Sequence, residues 1–296
     1  MSLRIQNLSK TYPNGTQALK SVNLEIDKGM FGLLGPNGAG KSSLMRTLAT
    51  LQEADEGEAW LDDLNVLEEK KQVRQLLGYL PQSFGVYPDM SAEDMLDHFA
   101  RLKGIHNPGE RKELVKALLE QTNLYEVRKR KLGKYSGGMK QRFGIAQALL
   151  GNPQLVIVDE PTAGLDPAER NRFHNLLSEI GQNTIVILST HIVEDVSDLC
   201  EQMAIIHRGE VLLTGQPLEL IQQAKGKVWE TQVEKHELEQ YQDRYNVISS
   251  RFFAGKVILR AFGEQPGPMF EPAEPGLEDV YFSHIKEKER AVLAAS

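Results

Sequence analysis

Cysteine is nearly absent from this sequence: one residue, Cys200, occurs among 296. A single cysteine cannot form a disulfide within the chain, so a disulfide-stabilised fold is excluded and a reducing, cytosolic compartment is expected. Cys200 itself is expected to be a small buried hydrophobe, since free cysteine is among the most buried residue types.

Long hydrophobic runs are also missing. The longest, such as residues 155–158 and 185–188, have the length of strands, whereas a membrane-spanning helix needs about 20 apolar residues. Residues 1–4 do not lead into the apolar core of a signal peptide. If the protein acts at a membrane, we therefore expect another chain to span it, with this chain peripheral on the inner face.

An excess of positive charge is the third absence. The formal net charge is -7, so no global basic character favours binding to nucleic acid, and none is expected as a partner. Apolar residues make up 41% and charged residues 25%, which is ordinary for a globular protein. The length suits one large domain or two unequal ones with a substantial core.

The first part of the chain alternates apolar and polar residues over 2–7 and 18–26, which predicts two strands joined by a turn at Pro13-Asn14-Gly15. The apolar residues 30–34 predict a third strand. Leucines at helical spacing after residue 42 predict a helix directly behind the next loop.

The middle of the chain, residues 91–150, is predicted to be largely helical. Ser91 and Asp94 indicate a capping box at its first helix. The basic run at 128–131 is interpreted as the solvated face of a helix.

Alternation of strands and helices resumes after residue 153. Two buried strands, 155–158 and 184–188, are each followed by a predicted helix, at 167–180 and 192–200. Such apolar strands alternating with helices predict a parallel sheet covered on both faces. A closing hairpin is expected around Arg208-Gly209.

The character of the sequence changes near residue 225. We predict one domain over 1–222 and a small accessory domain over 226–296. The second is expected to contain a strand, a helix, a hairpin turning at Ala254-Gly255 and, after a segment rich in proline and glycine, an amphipathic helix from Leu277.

A glycine-rich loop joins a predicted strand to a predicted helix, and its sequence is Gly35-Pro36-Asn37-Gly38-Ala39-Gly40-Lys41-Ser42. This is the P-loop pattern, in which glycines let the backbone approach phosphates and the helix N-terminus faces the anion. Lys41 would supply a charge to the terminal phosphates, and the Ser42 hydroxyl would ligate Mg²⁺. Ser43 is included in the predicted ATP site.

A second feature distinguishes among the many P-loop proteins. The apolar strand 156–158 ends in Asp159 and Glu160. In a doubly wound sheet ligands bind at the carboxyl ends of the strands. Asp159 can therefore hold the Mg²⁺ shell, and Glu160 can polarise an attacking water as general base.

With these two elements, the segment Tyr135-Ser136-Gly137-Gly138-Met139 makes residues 1–220 resemble the ATP-binding subunits of ATP-binding-cassette (ABC) transporters. It resembles the signature motif of that family, which P-loop kinases and GTPases lack. Physically, Ser136, Gly137 and Gly138 open a helix and form a second anion-binding turn. The resemblance implies that this turn faces the γ-phosphate held by an opposite subunit, so two chains pair head-to-tail around two ATP.

The resemblance implies roles for four further residues. Tyr12 matches the aromatic residue that stacks on adenine, and Gln82 the glutamine that approaches Mg²⁺ and the water. Asp166 matches the loop that crosses the dimer interface. His191 matches the histidine that contacts the γ-phosphate and supports Glu160. The catalytic set is thus Glu160, His191 and Gln82, and the metal set Ser42, Gln82 and Asp159.

The implied fold is an α/β P-loop NTPase of ABC type. It has a mixed central sheet, an antiparallel β-subdomain, a helical subdomain at about 88–150 and a small α+β C-terminal domain. One position departs from the family: Met139 stands where glutamine is usual, and activity is expected to survive. The segment Pro275-Gly276-Leu277-Glu278-Asp279-Val280-Tyr281 resembles the ending of multidrug exporters of the daunorubicin type.

The expected function is ATP hydrolysis that drives export through a separate integral-membrane permease, by a homodimer or a heterodimer with a second ABC subunit. Alternatives stay open. A ribosome-associated ABC factor usually carries two cassettes, and a DNA-repair ATPase separates the P-loop from the signature by coiled coils. A membrane complex that senses or regulates rather than transports is not excluded by the sequence, and the substrate is not encoded in this chain.

Overall fold

The computed structural model describes residues 1–295 and divides the chain into two compact units, residues 1–211 and 212–296. The domain boundary predicted from the sequence, at 222 to 226, stays a prediction. Ser296, the last residue of the predicted accessory domain, lies outside the described residues. In the described part of the chain no helix is both long enough and apolar enough to cross a bilayer.

The first unit contains ten strands, the last of which runs across the unit boundary. In chain order they are β1 (Ser2–Thr11), β2 (Gln17–Asp27), β3 (Gly29–Leu34), β4 (Glu56–Leu61), β5 (Leu64–Asn65), β6 (Leu77–Leu80), β7 (Leu155–Asp159), β8 (Ile185–Thr190), β9 (Gln202–His207) and β10 (Glu210–Gly215). Its helices are α1 (Lys41–Leu48), α2 (Lys70–Leu76), α3 (Ala92–Leu102), α4 (Pro108–Gln121), α5 (Gly137–Ala148), α6 (Pro167–Gly181) and α7 (Val193–Leu199).

Two sheets organise this unit. One is antiparallel with the order β2-β1-β4-β5, and its strand β1 buries Leu3, Ile5 and Leu8 between exposed polar residues. The other has the order β10-β9-β3-β8-β7-β6, and the pairs from β9 through β6 are parallel. The predicted mixed α/β fold is confirmed, and the buried strands β7 and β8 occupy the centre of the parallel sheet.

Four elements of this unit were not predicted from the sequence: β4, β5, β6 and α2. Strand β4 exposes its first three residues, and helix α2 buries only Val73, so neither carries the periodic apolar pattern on which prediction depends. Strand β4 pairs with β1 and widens the antiparallel sheet.

The helical region consists of α3, α4 and α5, which contact one another. Ser91 caps α3 as predicted, because its hydroxyl accepts from the Asp94 amide at 3.1 Å. The prediction of a helix face at 128–131 is wrong. The chain there connects two short 3₁₀ turns, Tyr125–Val127 and Leu132–Lys134, and the Arg128 guanidinium stacks 3.8 Å from the centroid of the Tyr125 ring.

The second unit is a small α+β structure. Its strands are β11 (Val228–Val233), β12 (Val247–Phe253), β13 (Lys256–Phe262) and β14 (Glu271–Pro272), in the sheet order β12-β13-β11-β14. Its helices are α8 (Pro217–Gln223), α9 (Leu238–Arg244) and α10 (Leu277–Ala295). Val257, Leu259 and Phe270 lie in its core. The predicted hairpin is confirmed, since Ala254 and Gly255 connect β12 and β13 with positive φ angles.

Candidate active site

A cleft of about 450 Å³ opens at the carboxyl end of β3, where the P-loop turns into α1. Residues 36–43 form one side of this cleft. Tyr12, Gln82 and Glu160, which are far apart in sequence, also line it. The fold therefore brings together, around the P-loop, most of the residues predicted for the ATP site.

Gly40 shows why glycine is needed in this loop. Its φ angle is +109°, and a Cβ atom here would lie 2.4 Å from the carbonyl oxygen of Ala18. Gly40 is also the N-cap of α1, and no side chain accepts from the first amides of that helix. The N-terminal amides of α1 thus present an uncapped, electropositive helix end to the cleft, as phosphate binding requires.

Three ionisable side chains form a chain of contacts beside the P-loop. Lys41 Nζ donates to the Gly35 carbonyl at 2.6 Å and lies 3.3 Å from Glu160 Oε1. The other carboxylate oxygen, Glu160 Oε2, is 2.5 Å from His191 Nδ1. Lys41 and Glu160 are buried, whereas 46% of the His191 side chain is exposed. A base held between a cation and an imidazole at a cleft is equipped to orient a water and take its proton.

The backbone of Glu160 is held in an uncommon conformation. Its φ angle is +51°, and its amide donates to the Ser189 carbonyl of the neighbouring strand at 2.8 Å. A non-glycine residue in the left-handed region is strained, and such strain is concentrated at functional sites. The turn aims the carboxylate at Lys41 instead of along the strand.

The oxygen donors needed for Mg²⁺ are present at the same end of the sheet. Asp159 is 3% exposed, and its Oδ1 has no hydrogen-bond partner in the described chain. The Ser42 hydroxyl and the Gln82 amide line the adjoining cleft. Within residues 1–295 no cluster of three or more carboxylate, His or Cys groups could hold a metal. One carboxylate with hydroxyl and amide oxygens fits Mg²⁺, which is usually completed by water and substrate phosphates.

Tyr12 lies on the cleft wall and is fixed through its hydroxyl. The phenol oxygen is 3.0 Å from Ser43 Oγ and donates to Gln52 Oε1 at 2.8 Å. These bonds hold the ring beside the P-loop helix. Stacking of the ring on adenine stays a prediction.

The signature segment does not belong to this cleft. Ser136 is the N-cap of α5 and accepts from the Met139 amide at 3.2 Å, and both Ser136 and Gly137 are exposed. Asp166, the predicted interface residue, is exposed at the N-cap of α6 and accepts from the Glu169 amide at 2.9 Å. The structure thus separates the predicted residues into a cleft group and an exposed group.

Glu169 links the two exposed segments. It lies in the first turn of α6 beside Asp166, and a Cβ atom added at Gly138 would lie 2.5 Å from its Oε2. The same oxygen is 3.3 Å from Arg142 Nε of α5, in ion-pair but not hydrogen-bond geometry. A side chain at position 138 would therefore require the Glu169 carboxylate to move away from α5.

Asp195 is a buried hub that sequence reasoning missed. Its carboxylate is fully buried and accepts from Thr162 Oγ1 at 2.6 Å and from Thr190 Oγ1 at 3.2 Å. Thr162 lies two residues after Glu160, and Thr190 directly precedes His191. The hub thus connects the two segments that carry Glu160, the predicted base, and His191, its imidazole partner.

Helix α6 is attached to the same hub. Arg170 Nε and His174 Nε2 both lie 2.8 Å from Asp195 Oδ1. Burial alone raises the pKa of Asp195, but the hydrogen bonds from His174, Thr162 and Arg170 outweigh burial and hold the pKa below its ordinary value. In the sequence, Asp195 is an acidic residue near the start of the predicted helix 192–200. An acidic residue at that position usually indicates a solvated charge at a helix N-terminus, so it did not predict a buried hub.

Two cations at the cleft were also missed. Lys20, within β2, and Arg208, in the turn between β9 and β10, line it, and Lys20 Nζ is 3.4 Å from Glu210 Oε1. Their side chains add positive charge around the P-loop beyond that of Lys41. A lysine within a strand and an arginine in a hairpin turn carry no motif that could have identified them.

Comparison with known proteins places this geometry in a family context. A family model described as "ABC transporter" matches residues 19–163. An uncharacterized ABC transporter ATP-binding protein of Bacillus subtilis, YxlF, is 36% identical over 249 residues, which cover 84% of this chain and 82% of the relative. The linearmycin resistance ATP-binding protein LnrL of the same organism is 34% identical, over 76% of this chain and 72% of the relative.

Solved structures agree on the fold. A dimeric ATP-binding cassette in a post-hydrolysis state with ADP and Pi matches with a TM-score of 0.66 at 28% identity, covering 72% of this chain and 98% of that one. A second dimeric structure of that same cassette, MJ0796, matches with a TM-score of 0.65 at 27% identity, over 72% of this chain and 98% of that one.

Proposed function

The chain belongs to the family of ABC transporter ATP-binding proteins, and from that premise we propose that two copies close head-to-tail around two ATP to drive export through a separate membrane permease. The chain is an ATPase, as its family is, and cassettes of this family form dimers and work with transporter membrane components. The head-to-tail arrangement, the export direction and a peripheral position on the inner membrane face are the parts proposed.

One observation carries the dimer arrangement. Lys41, Glu160 and His191 meet inside one cleft, while Ser136 and Gly137 lie exposed and outside it. An exposed serine and glycine at a helix N-terminus, outside the cleft, form a candidate anion-binding turn for the phosphate of another chain. A second copy related by a two-fold axis would place this turn over the first copy's cleft, and the reverse.

The residues of the cleft then have separate roles in ATP hydrolysis. Glu160 takes the proton of the attacking water, and His191 holds the carboxylate in position. Lys41, which contacts Glu160 in the described structure, would turn its charge to the terminal phosphates. Asp159, Ser42 and Gln82 would hold Mg²⁺, which when bound neutralises phosphate charge.

Export is supported by two features. The linearmycin-resistance relative carries a name that describes resistance to an antibiotic. The segment from Leu277 to Tyr281 resembles the ending of drug-exporter ATPases, and in the structure it starts α10 of the second unit.

The test uses wild-type chain and the Glu160→Gln variant, with ATPase rate and dimer mass measured in parallel. The variant should bind ATP, lose about 10²–10⁴-fold in turnover and elute as a dimer only with ATP. Full activity in the variant would show that Glu160 is not the base. A monomeric variant at saturating ATP would contradict the head-to-tail dimer. Failure of any membrane protein to co-purify from native membranes would favour a role without a permease.

A further inference from the structure

The hairpin between β12 and β13 carries two adjacent exposed aromatic residues at its tip. Phe252 is 66% exposed and Phe253 is 62% exposed. Phe252 pairs with Val257 and Phe253 with Lys256 across the hairpin. Because successive strand residues point to opposite faces, the tip presents one phenyl ring on each face.

Three cations surround these rings. Arg251 and Lys256 flank them on the two strands, and both are exposed. Lys235 Nζ lies 5.9 Å from the centroid of the Phe252 ring. We refer to residues 251–256 together with Lys235 as the basic aromatic tip.

Two carboxylates lie beside Lys235 in the sequence. Glu234 and Glu237 flank Lys235, and each side chain accepts from a backbone amide of the other in a capping box. Their oxygens are thus engaged with the backbone of a 3₁₀ turn. Counted together with these two carboxylates, the three cations leave the tip with one net positive charge, in a chain whose net charge is -7.

We propose that the basic aromatic tip inserts into the surface of a bilayer that contains anionic lipid. A protein groove would cover one face of a strand, whereas a fluid lipid interface surrounds a tip and accommodates rings on both faces. Aromatic rings favour the boundary between headgroups and acyl chains, and lysine and arginine reach back to anionic headgroups. In the basic aromatic tip, the two rings would lie at the depth of that boundary and the three cations at the level of the anionic headgroups.

The proposal goes beyond ATP-driven export, since it gives the second unit a ligand of its own. It depends on the proposed function only for the membrane location of the chain. A few charges and two rings give weak, salt-sensitive binding to anionic lipid, so two tips in a dimer would bind more tightly than one.

The experiment is flotation of purified chain with vesicles of phosphatidylcholine alone or with phosphatidylglycerol, without a permease. Wild type should float with the anionic vesicles and not with the neutral ones. Phe252→Ala/Phe253→Ala should lower binding about tenfold or more. Arg251→Gln/Lys256→Gln should also bind less, and its remaining binding should depend less on salt.

Leu218→Ala is the matched control, because Leu218 is an exposed apolar residue of the same unit, at 80% exposure. This variant should bind vesicles as wild type does, and all variants should keep the ATPase rate measured without lipid. A Phe252→Trp chain should show fluorescence quenching by brominated lipid, which reports insertion rather than adsorption.

Equal vesicle binding by wild type and the double phenylalanine variant would overturn the proposal. So would wild type that hydrolyses ATP but does not float with anionic vesicles, and the proposed function would then stand unaffected. Loss of permease co-purification in the phenylalanine variant, with no vesicle binding by wild type, would make the tip a protein contact instead.

Discussion

Two helix N-termini of the first unit, those of α1 and α5, begin with glycine-rich turns, but their surroundings differ. At α1 no side chain caps the helix, and Lys41 and Glu160 lie buried beside it. At α5 the Ser136 hydroxyl caps the helix, and Ser136 and Gly137 are exposed. The first turn has the proposed catalytic groups beside it in its own chain, whereas the second has none, which is the arrangement that the proposed head-to-tail site requires.

The largest effect should come from filling the space at Gly138. Gly138→Val would push against Glu169 and displace the α5 turn, so we expect ATPase activity to fall about 10²-fold, as when an oriented donor is lost. ATP affinity of the isolated chain should change little, because Gly138 is outside the cleft.

The matched control is Gly109→Val, since Gly109 holds the same second position of helix α4. It should keep wild-type activity, and thermal unfolding should confirm that both variants fold. A parallel loss of ATP affinity and ATPase rate in Gly138→Val would mean that the α5 turn serves its own chain's cleft.

The next effect should come from the Asp195 hub. Asp195→Asn leaves one acceptor oxygen for four donor side chains. We therefore expect the free energy of unfolding to fall by about 3 kcal/mol. We also expect kcat to fall more than ATP affinity. Asp198→Asn, the same change at an exposed position of α7, should do neither.

The pH dependence of this effect has a defined sign. The folded pKa of Asp195 lies below its ordinary value of 3.8, so its contribution is present above that value and is lost as pH falls through the folded pKa. Denaturant titrations should show the stability difference between wild type and Asp195→Asn shrinking in that acid range. A constant difference would show that charge is not the cause.

A smaller effect is expected at the cleft wall. Tyr12→Ala should weaken ATP binding about tenfold without abolishing it, as loss of one stacked base does. Tyr12→Phe keeps the ring that would stack on adenine. It should therefore bind ATP nearly as wild type in a titration calorimeter, although it loses the positioning bonds to Ser43 and Gln52. Equal losses in both variants would assign the contribution to the hydroxyl.

The smallest effect is expected at Met139. Its amide donates to Ser136 Oγ whatever side chain it bears, so Met139→Gln should alter kcat by no more than about threefold. Steady-state kinetics would measure this directly. A gain well beyond that range would show that the natural α5 turn is impaired.

The sequence predicted the residues that line the cleft better than the residues that hold those segments in place. The P-loop and the pair Asp159 and Glu160 follow from local patterns, because phosphate and magnesium chemistry restrict the residue types at adjacent positions. Asp195 and Glu169 act through side chains that are distant in sequence, and their neighbours become apparent only in the fold. Helix α2 and strand β4 were missed because they bury few residues, so packing by the rest of the unit determines them.

The head-to-tail site is tested most directly by mixing two inactive chains, Glu160→Gln and Gly138→Val. In a mixed dimer one site carries both defects and the other carries neither. With free exchange of chains, confirmed by fluorescent labels, the mixture should recover about a quarter of wild-type ATPase activity, as two-fold symmetry requires. No recovery above the separate variants, despite exchange, would contradict the account, because the two halves would then work within one chain.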